Sequence, residues 1–231
     1  MIKLYSIKLL IFVANISIGN VVDCVISGIN QAKKDYNKLT KNFQTLGGGP
    51  EYFISVSIAK SLKEGLNESL IFLEETWKDS EDAPTGKKIT KWHPNYRYDI
   101  VVRDSKLLPF AAIEVKNSVC SVSKEVMKDF GRISTAVEME GDEKIFKGGL
   151  FVFYTQKHCK MEALENTKEI IQKRYEALEN ALKVQKGRSD LNKKLIDPTL
   201  YLGMDRNPVR GLNNKVVVWG GGCFILTPRK H

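Results

Sequence analysis

Cysteine is sparse in this chain, and what there is forms no pattern. Cys24, Cys120, Cys159 and Cys223 lie far apart and supply no CxxC or Cys/His spacing, which argues against structural zinc and reads as reduced thiols of a cytoplasmic protein. Internal repeats and low-complexity tracts are missing as well. Gly47, Gly48 and Gly49 stand in a row, but no Gly-Lys-Ser/Thr follows them. That argues against a nucleotide P-loop, and the triplet reads instead as freedom to turn into a helix with Pro50 at its first position.

A clean hydrophobic span is also lacking. The apolar stretch from Leu9 to Ile29 follows Lys3 and Lys8 and resembles a signal segment or a short membrane span. Asn15, Ser17, Asn20 and Asp23 interrupt it, and no small-x-small cleavage pattern is clear. A membrane helix wants about 20 largely apolar residues, so a buried, packing N-terminal element is the expectation.

What the chain does have is size and positive charge. Its 231 residues suffice for one domain with a real core. With 36 Lys and Arg against 27 Asp and Glu, the formal net charge is +9 and the pI about 9.2. That balance favours a polyanionic partner, nucleic acid before membrane.

The densest chemistry lies between Arg97 and Asn117, RYDIVVRDSKLLPFAAIEVKN. Two β-rich runs there, around Tyr98 to Val102 and Ala111 to Lys116, predict a hairpin. Successive strand side chains point to opposite faces, so Ala112, Glu114 and Lys116 share one face and Ala111, Ile113 and Val115 the other. Asp99 and Glu114 from neighbouring strands can then offer carboxylates to a hard cation such as magnesium. Lys116 would point at the same spot, where its ammonium can hold water or balance charge developing on phosphorus. The alternative for an isolated ExK is a half-buried strand with a charged solvent face.

Around this hairpin the pattern predicts an exposed helix or linker over the polar, lysine-rich stretch Gln31 to Gln44 and a helix over Glu51 to Gly65, with Ile54, Ile58 and Leu62 as its apolar stripe. Glu51 sits in that helix's first turn, either against the helix dipole or brought over the sheet as a third acid. Ser69 to Trp77 reads as a strand. A polar loop follows, with Trp92 and His93 near its end. Val122 to Met139 reads as a helix whose Lys124, Lys128 and Arg132 form a row, either touching phosphates or, by default, solvated. Leu150 to Thr155 reads as a buried strand, and Met161 to Lys186 as a long amphipathic helix that covers the sheet and offers a surface for a homodimer. Gly187 to Gly211 reads as an irregular basic loop. Val216 to Trp219 and Cys223 to Leu226 read as two short strands around a turn at Gly220, Gly221 and Gly222.

The order αβββαβ, with an acid in the first helix, Asp99 on the second strand and Glu114-x-Lys116 on the third, resembles the PD-(D/E)xK nuclease superfamily, the restriction endonuclease-like fold. The resemblance covers about Gly49 to Thr155, and Tyr98 stands where many members have proline. It implies an α/β domain with a mixed central sheet flanked by helices. The nuclease core would span 47–160, after an N-terminal extension over 1–46, and residues 161–231 would complete the same domain. It further implies Asp99 and Glu114 as ligands of Mg2+ or Mn2+, Lys116 as the catalytic lysine and Glu51 as an auxiliary acid and metal ligand. The activity implied is hydrolysis of phosphodiester bonds, in DNA before RNA, as in restriction, repair or defence. A non-catalytic nucleic-acid-binding protein on the same fold is the competing expectation.

Overall fold

The computed structural model describes residues 16–40, 49–67, 69–76, 97–138, 146–186, 191–201 and 215–228. Gly47, Gly48, the loop with Trp92 and His93, the beginning of the apolar N-terminal run, and Arg188, Arg206 and Arg210 lie outside them.

The elements are helices α1 (Ile18–Leu39) and α2 (Glu51–Gly65), strands β1 (Leu70–Thr76), β2 (Arg97–Arg103) and β3 (Pro109–Lys116), helix α3 (Lys124–Glu138), strand β4 (Gly148–Lys160), helix α4 (Leu164–Lys186) and strands β5 (Asn192–Tyr201) and β6 (Lys215–Leu226). One turn of 3-10 helix, Met161–Ala163, leads into α4. The protein is thus mixed α/β. The six strands among the described residues form one sheet in the order β1-β2-β3-β4-β6-β5. All neighbours run antiparallel except β3 and β4, which are parallel and joined through α3.

Alternation along the central strands divides the core in two. Ile100, Val102, Ala111, Ile113, Val115, Leu150 and Val152 pack beneath α1 and α2. Val101, Ala112, Phe151, Phe153, Val218 and Phe224 pack beneath α3 and α4. The apolar N-terminal segment enters this core as part of α1, where Val21, Val25 and Ile29 are fully buried. Each such side chain is worth about 1.5–3 kcal/mol in burial, which explains why the segment docks. From Gln31 to Leu39 its continuation is not a separate exposed helix or linker but the end of α1, where Ala32 and Tyr36 belong to the same buried stripe; residues 41–44 lie outside the described residues. Among the described residues, no helix is long and apolar enough to cross a membrane.

Two expectations near the C-terminus are corrected. The stretch read as an irregular basic loop contains β5, which pairs with β6 and whose register shifts between Ile196 and Thr199. Pro198 falls in that irregularity, and β5 is one of the two outer strands of the described sheet, where a missing N–H is tolerated. The triglycine does not turn the chain either. One strand, β6, runs unbroken through it and pairs with both β4 and β5. A Cβ on Gly220 would lie 1.8 Å from Tyr175 Oη, and one on Gly221 would lie 2.6 Å from the Phe153 carbonyl oxygen. These glycines admit α4 and the neighbouring strand at close range.

Candidate active site

The candidate site forms where β2 and β3 stop pairing. Their ladder ends at Ile100 opposite Ile113, and beyond it the Asp99 carboxylate, through Oδ2, accepts the backbone N–H of Val115 at 2.6 Å. A side chain there takes the place of a strand carbonyl, so Asp99 is pinned inside the fork between the strands.

From β3, Glu114 turns under α3 and is only 2% exposed. Its Oε1 accepts from Arg132 Nη2 of α3, while its buried Oε2 has no hydrogen-bond partner among the described residues. Arg132 also meets Asp129 Oδ1 at 2.7 Å, one helical turn away. Lys116, two residues beyond Glu114, places its Nζ 3.0 Å from Asp129 Oδ2 and 3.3 Å from Glu51 Oε1.

Glu51 reaches the sheet because it opens α2 immediately after Pro50, which takes the N-cap position rather than the first helical one. Its Oε2 accepts the Asn117 backbone N–H at 3.0 Å, and the Asn117 side-chain amide donates to the Gly49 carbonyl at 2.8 Å. Asn117 therefore joins the end of β3 to the start of α2. The next residue, Ser118, has φ of 56°, a left-handed conformation that is uncommon for residues other than glycine.

All four residues singled out in the sequence, Glu51, Asp99, Glu114 and Lys116, are thus brought into one cluster. Three others, Asn117, Asp129 and Arg132, were not assigned to it. The reading of Arg132 as solvated is corrected: it bridges two carboxylates and its side chain is 20% exposed. Lys124 and Lys128, in the same row, are exposed. The missed signal was DFGR, an acid and a base three apart on the buried side of an amphipathic helix.

Charge defines the site. Four carboxylates, Glu51, Asp99, Glu114 and Asp129, are linked with two cations, Lys116 and Arg132. Burial pushes Asp99 up to about 6, the Val115 N–H opposing and Glu51 reinforcing the rise. Burial followed by the neighbouring Asp99 charge raises Glu114 to about 8, against the pull of Arg132. Lys116 responds in the opposite sense: burial would lower it, but Asp129 and Glu51 outweigh burial and hold the ammonium above its ordinary value.

Among the described residues, no three Asp, Glu, His or Cys side chains are already arranged around a common metal position. The chemistry of the cluster nonetheless suits a hard cation. It offers a buried carboxylate oxygen without a hydrogen-bond partner among the described residues and, when fully ionised, two more carboxylates than cations, and oxygen ligands are what Mg2+ and Mn2+ take.

No protein-family model, curated protein or solved structure matches this chain. The geometry of the site therefore stands as the principal guide to its chemistry.

Proposed function

We propose that this protein is a metal-dependent nuclease of the restriction endonuclease-like fold, hydrolysing phosphodiester bonds in nucleic acid, DNA in the first instance. The observation that supports this most directly is the meeting of Asp99, Glu114 and Lys116 at the β2–β3 fork, in a cluster with more carboxylates than cations. Asp99 and Glu114 would hold Mg2+ or Mn2+, with Glu51 as the auxiliary acid. When bound, such an ion supplies a Lewis acid and a water of lowered pKa. Lys116 offers an ammonium at the site, oriented by Asp129 and Glu51, which suits stabilisation of charge on phosphate. The net charge of +9 suits a polyanionic substrate.

A second reading, nucleic-acid binding without catalysis, is favoured by one feature: Lys116 and Arg132 already neutralise part of the carboxylate cluster. Cleavage separates the two. Purified protein incubated with single-stranded, double-stranded and branched DNA should yield products only with Mg2+ or Mn2+; Glu114→Ala should abolish them and Lys116→Ala should reduce them at least about 10²-fold. Retention of DNA without product under any divalent ion would favour the binding module. Undiminished cutting by both variants would remove this site from the reaction.

A further inference from the structure

Among the described residues, Arg132 is the cation held in direct contact with Glu114. Its guanidinium contacts Glu114 Oε1 while keeping a second hold on Asp129 at 2.7 Å. Glu114 itself is 2% exposed, and its Oε2 lacks a hydrogen-bond partner among the described residues. A buried carboxylate left with no cation is costly and otherwise takes up a proton, so a positive group beside Glu114 stabilises its ionised form whenever no metal is present. A guanidinium is the suitable one, because it stays charged and has several donors in a fixed plane. With Asp129 as a second acceptor, Arg132 can release Glu114 without becoming a buried, unpaired charge.

We infer that Arg132 is an exchangeable counter-ion of Glu114, which a divalent cation must displace before the site is loaded, Asp129 retaining the displaced guanidinium. This inference rests on the metal-dependent reading above and concerns how that same site is regulated. Arg132 is on this view a positioning residue that sets the cation concentration at which the site fills.

The exchange is measured without nucleic acid, by calorimetric titration of Mn2+ into wild type, Arg132→Gln and Lys128→Gln. Lys128 is exposed one turn away on the same helix, so its substitution removes an equal charge with no contact to Glu114 among those described. Arg132→Gln should bind Mn2+ at least about tenfold more tightly than wild type, and Lys128→Gln within about twofold of it. Equal affinity of wild type and Arg132→Gln would overturn the exchange while leaving the metal site intact. An equal gain in both variants would also overturn it, since bulk charge alone would then suffice. Failure of every form to bind Mn2+ at millimolar concentration would overturn the exchange and the metal-dependent reading together. Should Arg132→Gln not fold, wild type decides: the Arg132 side-chain Nε–H resonance should shift as Mg2+ is added, and a resonance unmoved while the ion binds would overturn the proposal.

Discussion

Asp99 and Val115 are joined by a 2.6 Å hydrogen bond from backbone N–H to carboxylate, in a place where two strands would otherwise pair through their backbones. The bond fixes the carboxylate, but burial and the Glu51 charge make its ionised form expensive. Asp99→Asn retains an acceptor for Val115 and removes the charge. In metal-free buffer at pH 8 it should be more stable than wild type, by about 1–3 kcal/mol, while cutting is lost. Asp99→Ala leaves the Val115 N–H without that acceptor, at a cost of about 1–3 kcal/mol, and should be the less stable variant of the two. Urea denaturation of the three proteins with EDTA measures both effects. A destabilised Asp99→Asn would mean that the carboxylate is not under charge strain.

The same cluster sets a pH dependence. Asp99 and Glu114 titrate near 6 and 8 in the fold but near about 4 in an unfolded chain. Between these values the folded state holds more protons, so stability falls as pH rises. Their contribution is complete below about pH 4 and is lost through pH 6 and then pH 8. Urea midpoints of the metal-free protein should decline from pH 5.5 to pH 8.5, with a shallower decline in Glu114→Gln. Saturating Mg2+ should flatten the profile by binding the ionised form. A midpoint that climbs with pH over this range would contradict the charge balance described.

Much of the site was legible because strand alternation is a strict rule. Once Ala111 to Lys116 is a strand, Glu114 and Lys116 must share a face, and the hairpin brings Asp99 beside them. Asp129 and Arg132 were not legible because their role depends on where α3 crosses the sheet, which helical periodicity does not state. A row containing Lys124 and Lys128 made Arg132 look solvated. The fold failed to read through where glycine and proline ordinarily break strands. In β6 the glycines serve close approach, and in β5 Pro198 is absorbed by an edge irregularity.

Gly220→Ala places a methyl group 1.8 Å from the Tyr175 hydroxyl oxygen, and Tyr175 cannot withdraw freely, because that hydroxyl donates to the Ile196 carbonyl at 3.0 Å. Overpacking of this kind costs about 1–3 kcal/mol. Gly19, in the first turn of α1, has only Ser17 Oγ near its would-be Cβ, at 3.7 Å. Gly19→Ala should therefore be neutral or stabilising by up to about 1 kcal/mol. Thermal melts of the pair should move in opposite directions or differ by several degrees. Two equal, small shifts would mean that β6 adjusts to a side chain at Gly220.

Lys116 provides the sharpest separation of binding from chemistry. Its ammonium lies between Asp129 and Glu51, which outweigh burial and raise its affinity for the proton. It is therefore charged throughout the neutral range, and in the proposed reaction it would act as a donor and positive charge, not as a base. Lys116→Met should reduce metal-dependent cleavage about 10²–10³-fold, the scale for losing one preorganised donor at a developing anion. Nucleic-acid affinity depends mainly on many phosphate contacts and should change little. The rate of the wild type should show no loss of activity from lysine deprotonation up to about pH 10. Filter binding in Ca2+ beside cleavage in Mg2+ measures both quantities on one substrate. If Lys116→Met cuts as fast as wild type, the ammonium's place between two acids is structural, and the nuclease assignment loses its third residue.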